Sequence, residues 1–250
     1  MDQELLSKKR VETLHFPLSI SAIVIDLDGT LLHTSPDLTV AANAALLECG
    51  LPVIAPERVQ SFVGKGIDEL VARCLRHLGQ PDTGELFGQL RDAYFRHYGR
   101  VNGDHATFYE GVREGLDAFA AAGLKLGVCT NKSARFARPL LERFGLASRF
   151  EVIVGGDTAA RKKPHADPLL WACDAWSLAP AAVLMIGDSI NDALGARAAG
   201  CPVWLVPYGY NECKPVQGVD CDGIVATLLE AAELLRQRDF NPYPHPNPSP

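Results

Sequence analysis

From residue 112 onward, short apolar runs alternate with amphipathic stretches. The runs at 124–129, 152–154, 182–186, 202–206 and 223–225 are too short for helices, and several are rich in β-branched residues. Between and after them, 112–122, 134–144, 168–176, 192–199 and 226–236 carry apolar residues at helical spacing. This alternation predicts a parallel sheet with helices on both faces, a doubly wound α/β fold. One further run, Ala22-Ile23-Val24-Ile25, stands far upstream and reads as a strand covered on both faces.

The gap between that strand and its partners is helical throughout. Asp37-Leu38-Thr39 reads as the capped start of a helix that stops at Gly50. Further on, Val63, Ile67, Leu70, Val71, Cys74 and Leu75 recur at helical spacing, as do Leu86, Leu90, Ala93 and Tyr94. The expected organisation is an all-helical cap domain at 37–107, inserted into an α/β core made of 20–36 and 108–238. Residues 1–19 form an N-terminal extension. The proline-rich 239–250 is expected to be an extended or disordered tail.

With 250 residues, 47% of them hydrophobic, the chain can bury a full core. A net charge of -6 gives no electrostatic reason for nucleic-acid or membrane binding. The seven cysteines are scattered without a C-x-x-C pair, which suits reduced thiols rather than a disulfide frame or a zinc site. The N-terminal stretch lacks a signal-type apolar region, and no apolar run reaches the roughly 18 residues of a membrane helix. A cytoplasmic protein, monomer or homodimer, is expected.

In open parallel sheets, ligands bind beyond the carboxyl ends of the strands. The first run ends in Asp26-Leu27-Asp28-Gly29-Thr30, and that at 124–129 in Thr130-Asn131-Lys132. Arg161-Lys162-Lys163-Pro164 follows 152–154, and Gly187-Asp188-Ser189-Ile190-Asn191-Asp192 follows 182–186. Asp26 and Asp28, two apart on an extended segment, project the same way. Carboxylates crowded at one sheet edge repel, and Mg²⁺ with its preference for carboxylates and phosphate oxygens removes the conflict. A lysine and a hydroxyl nearby suit a phosphate. Singly, each piece has a plainer reading: a strand-end turn, a solvated Lys-Pro loop, or a helix N-cap at Ser189 or Asn191. Together, in this order, they point to phosphoryl transfer.

These four motifs resemble the haloacid dehalogenase superfamily of phosphatases, over roughly residues 20 to 236. The inserted helical cap is similar to that of the superfamily's phosphoglycolate phosphatase branch, as are Phe62-Val63-Gly64-Lys65-Gly66, Lys162-Lys163-Pro164-His165 and Tyr208-Gly209-Tyr210-Asn211. The resemblance implies Asp26 as nucleophile and Asp28 as general acid and then base. It implies that the side chains of Asp26 and Asp188, with the backbone carbonyl of Asp28, hold Mg²⁺. Thr130, the Asn131 N–H, Gly29 and Lys163 would surround the phosphoryl group. Asp192 would support Lys163 or metal-bound water, with Ser189 and Asn191 shaping the loop. Lys163 precedes the proline and is the motif lysine, which leaves Lys162 as a surface charge. Ala166 stands where the family usually has a second proline. Gly64-Lys65-Gly66 lacks the rest of a P-loop, so Lys65 or a neighbouring N–H is expected to meet a substrate carboxylate. The implied reaction is hydrolysis of 2-phosphoglycolate. A sugar phosphate or pyrophosphate substrate is the alternative, as is a receiver-type phospho-accepting domain.

Overall fold

The computed structural model describes residues 20–239; the extension at 1–19 and the tail from 240 on lie outside the described residues. In chain order, β1 (Ala22–Ile25) and β2 (Leu32–His33) precede α1 (Ser35–Glu48), α2 (Pro56–Gln60), α3 (Ile67–His77) and α4 (Glu85–Val101). Then come β3 (Thr107–Phe108), α5 (Val112–Ala121), β4 (Lys125–Cys129), α6 (Ala134–Arg143), β5 (Val152–Val154) and α7 (Asp167–Trp176). The chain continues with β6 (Val183–Gly187), α8 (Ile190–Ala199), β7 (Val203–Leu205), β8 (Gly223–Ile224) and α9 (Leu228–Asp239).

The main sheet has six strands in the order β5-β4-β1-β6-β7-β8, every neighbouring pair parallel. Strand β1 is central and entirely buried, because alternate residues face opposite layers. Ile23 and Ile25 join the cluster of α5, α6 and α9, whereas Ala22 and Val24 join that of α7 and α8. Each buried isoleucine contributes about 1.5–3 kcal/mol relative to exposure. The doubly wound reading holds, and so does the all-helical insertion. Helices α1 to α4 share their own apolar cluster, which also takes in Phe136 and Tyr210 from the sheet side.

Two local expectations are corrected. Helix α1 starts at Ser35, with a proline in its first turn, rather than at Asp37. The buried Asp37 carboxylate instead accepts the N–H groups of Gly103 (2.9 Å) and His105 (2.8 Å), tying the two ends of the insertion together. Helix α9 starts at Leu228 because the Thr227 hydroxyl accepts the Glu230 N–H at 3.0 Å. Periodicity also gave no sign of the short antiparallel pair β2–β3 at the roots of the insertion, where Leu32 faces Phe108 and His33 faces Thr107. Two-residue strands are too short to show an alternation.

Candidate active site

The parallel register brings three strand ends to one edge: Ile25 stands level with Val128 and Ile186. Asp26 follows β1 directly, and its N–H still bonds to the Ile186 carbonyl at 2.9 Å, so the sheet sets its position. Its Oδ1 accepts the Leu27 N–H (2.7 Å) and faces Lys163 Nζ at 3.2 Å. Asp188 leaves the adjacent β6. Its Oδ1 accepts the Thr30 hydroxyl (3.1 Å) and its Oδ2 the Tyr210 N–H (2.6 Å). Gly29 has φ +90°, and a Cβ there would collide with the Asp188 carboxylate. That position must be glycine for the first and last motifs to pack together.

Lys163 is buried and donates to the Cys129 carbonyl (2.5 Å) and Asp192 Oδ1 (2.6 Å). The other Asp192 oxygen accepts from the N–H of Asp188 (3.2 Å), the N–H of Ser189 (3.0 Å) and the Ser189 hydroxyl (2.8 Å). Ser189 is thus the N-cap of α8, and Asp192 both completes the cap and anchors the lysine. Both Asp192 oxygens are committed.

Burial raises the Asp26 pKa to about 7; Lys163 pulls it down, while Asp192 and Asp28 push it further up. Asp188 lies well above the usual carboxylate range, through burial and then the charges of Asp192 and Asp26. Burial opposes the charge on Lys163, but Asp192 and Asp26 together hold its pKa above the ordinary value. Three buried carboxylates whose oxygens lie within 4.8 Å of one another therefore share one ammonium, which contacts Asp26 and Asp192. Such a hard, oxygen-rich, anionic cluster fits a divalent cation of the Mg²⁺ type. Of the three, Asp192 is the one in a close charged pair with Lys163, at 2.6 Å, while Asp188 accepts from the neutral donors Thr30 and Tyr210.

Asp28 lines the same cavity as Asp26 and Asp188 but has other partners. Its Oδ1 accepts the Thr34 hydroxyl (2.6 Å), and both its oxygens accept from Lys132 Nζ, at 2.8 and 2.9 Å. The two aspartates of the first motif thus have separate partners. Thr130, Asn131, Ser189 and Asn191 also reach the cavity between sheet edge and insertion, a space of about 40 Å³. Val63, Leu70, Tyr94 and Tyr98 close it from the helical side.

Two lysines depart from expectation. Lys65 does not line the cavity; its ammonium pairs with Glu212 at 2.8 Å, beside the Arg73–Glu212 pair at 2.6 Å. Lys162 is not a free surface charge, for its Nζ donates to the Lys65 carbonyl at 2.6 Å. The Asn131 side chain works alongside it, donating to the carbonyls of Gly64 and Lys163, both at 2.9 Å. The 64–65 turn is therefore stitched to the sheet by backbone acceptors, and its lysine side chain serves the stitching.

Sequence reasoning missed Lys132, Thr34, Tyr94, Tyr98, Tyr210 and Glu212 as neighbours of the site. Lys132 stands beside Thr130-Asn131, Thr34 lies six residues after Asp28, and Tyr210 lies in the stretch Tyr208-Gly209-Tyr210-Asn211; Tyr94, Tyr98 and Glu212 arrive from distant segments.

The family of haloacid dehalogenase-like hydrolases matches residues 23–206. A phosphoglycolate phosphatase of Thiobacillus denitrificans is 48% identical over 222 residues, covering 88% of this chain and 97% of that protein. One from Nitrosospira multiformis is 46% identical over 226 residues, covering 90% and 99%. Among solved structures, one described as a predicted phosphoglycolate phosphatase from Haemophilus somnus has a TM-score of 0.83 at 31% identity, covering 88% of this chain and 99% of that one. These likenesses set aside the receiver-type alternative. The chain is an enzyme, a member of the haloacid dehalogenase-like hydrolase family with the phosphatase form of that fold.

Proposed function

We propose that the chain is a Mg²⁺-dependent phosphomonoesterase that converts 2-phosphoglycolate to glycolate and phosphate through an aspartyl-phosphate. The observation that carries the reading is the division of labour between Asp26 and Asp28. Asp26, beside Lys163, keeps Oδ2 without a donor among the described residues, whereas Asp28 has Thr34 and Lys132 as partners.

In the first step an Asp26 oxygen bonds to phosphorus as the ester P–O bond breaks. Asp28 delivers the proton that the leaving alkoxide needs, a contribution of about 10²–10⁴-fold. In the second step water attacks phosphorus, Asp28 takes back a proton, and the Asp26–phosphorus bond breaks. Thr130, the Asn131 N–H and Gly29 border the phosphoryl oxygens, and the buried Lys163 stabilises the charge on them. Asp26 and Asp188, with the Asp28 backbone carbonyl, would hold Mg²⁺, which when bound neutralises carboxylate and phosphoryl charge. Residues 37–107 act as the cap and residues 20–36 and 108–238 as the catalytic core, with the β2–β3 pair as the hinge. The substrate assignment is supported by the names of the relatives above. All seven cysteines are free thiols, which supports the cytoplasm as the working compartment.

The test is phosphate release from 2-phosphoglycolate, pyrophosphate and a set of sugar phosphates, with Mg²⁺ and with a chelator. Highest kcat/KM on 2-phosphoglycolate, abolished by chelation and restored by Mg²⁺, is expected. A sugar phosphate or pyrophosphate as best substrate would reassign the substrate while leaving the chemistry.

A further inference from the structure

Tyr94 and Tyr98, one turn apart on α4, are each 1% exposed, and neither hydroxyl has a hydrogen-bond partner among the described residues. Both residues line the cavity above Asp28. Phenylalanine would supply the same packing without stranding a buried O–H, so packing does not account for the two hydroxyls. Lys132 lines the same cavity, its ammonium 4.9 Å from the centre of the Tyr98 ring and in contact with both oxygens of Asp28. Among the described residues lining this cavity, Lys132 is the only cation; its charged companions are Asp26, Asp28, Asp188 and Glu212.

We propose that Lys132, Tyr94 and Tyr98 form the subsite for the substrate's carboxylate, and so select a short phosphorylated acid over a neutral phosphate ester. This rests on the phosphatase reading above, which puts the phosphoryl group against Asp26 and Thr130 at the sheet edge. The far end of a two-carbon acid then meets α4, and its carboxylate can accept from both phenols and the ammonium at once. The role expected of Lys65 passes to Lys132, because Lys65 does not line the cavity and its charge is paired with Glu212.

The experiment compares kcat/KM for 2-phosphoglycolate and for 2-hydroxyethyl phosphate, which carries a carbinol where the acid has its carboxylate. Taking the ratio cancels effects common to both, including the loss of a partner for Asp28. The unmodified protein is expected to prefer the acid. Lys132→Met, and separately the double variant Tyr94→Phe/Tyr98→Phe, should lower that preference about tenfold or more, chiefly through KM. Lys132→Arg keeps the charge and should retain most of the preference. If the unmodified protein prefers the acid and neither variant reduces the ratio, the subsite is wrong and the substrate assignment stands. If the unmodified protein shows no preference for the acid, the substrate assignment and the subsite fail together.

Discussion

The backbone N–H of Tyr210 donates to Asp188 Oδ2 at 2.6 Å, while the hydroxyl of the same residue accepts the N–H groups of Thr34 and Ser35 at 2.7 and 2.9 Å. One residue therefore grips a candidate metal ligand and the first turn of the inserted helices. Thr34 in turn donates its hydroxyl to Asp28, so both acidic ends of the site share this support.

Tyr210→Phe should separate those two grips. It keeps the backbone bond to Asp188 but leaves two buried N–H groups at the start of α1 without their acceptor. The expected loss is about 1–3 kcal/mol of stability, read from denaturant midpoints. Turnover should fall as well, because Thr34 no longer holds Asp28 in place. Unchanged stability would show that the hydroxyl is not a structural anchor.

Asp26→Asn should uncouple activity from stability. An amide is not a usable nucleophile, so phosphate release should drop at least about 10³-fold. Burial and the neighbouring Asp192 and Asp28 make the charged form of Asp26 unfavourable in the metal-free fold. Replacing it with a neutral isostere should leave the melting temperature equal or raise it. Appreciable residual turnover would end the nucleophile assignment.

Asp192→Ala should do the reverse damage. Lys163 and Asp192 form a pair whose side chains are 1% and 0% exposed, and removing the carboxylate takes from the buried ammonium its nearer charged partner, with Asp26 at 3.2 Å and the Cys129 carbonyl remaining. A loss of about 3–5 kcal/mol is expected from urea denaturation of the variant. It should exceed the effect of Asp192→Asn, which keeps one acceptor oxygen, for Lys163 or for the Ser189 cap but not for both.

Glu212 links the inserted helices to the loop after β7 through Lys65 and Arg73. Hydrogen bonds from those two residues hold its pKa at about 2, against an ordinary 4.5. A carboxylate depressed in the folded state contributes in full above its unfolded value and loses that contribution as pH falls through the folded one. Glu212→Gln should therefore cost a constant amount from neutral pH down to about pH 4.5, on the order of 1 kcal/mol for a partly exposed pair. Below that the gap between the two proteins should narrow. A gap that grows on acidification would contradict the ion-pair account.

What lay open in the linear chain was whatever depends on local period and adjacency. Four buried residues followed at once by Asp26 and Asp28 marked a strand end with chemistry, because a central strand leaves no place for unpaired carboxylates. The alternation of runs and helices was enough for the doubly wound sheet, and an unbroken helical texture for the insertion. Order along successive strands was also enough to gather Asp26, Thr130, Lys163 and Asp188, since parallel strands all end on one side.

Partner choice was another matter, because hydrogen bonds and ion pairs are made across the fold between residues with no periodic relation. Apart from its place beside Thr130-Asn131, nothing local distinguishes Lys132, which meets Asp28, from Lys162, which meets a carbonyl of the 64–65 turn, or from Lys65, which meets Glu212. Tyr94 reads from spacing as an ordinary core position and Tyr98 drew no reading; the two hydroxyls became informative only once packing had left them, among the described residues, without partners on two residues that line the cavity. The sequence by itself determined the strand-end chemistry and the layered sheet, through local pattern. Only tertiary structure decided which cation answers which acid, because that depends on how the helices of the insertion close over the sheet edge.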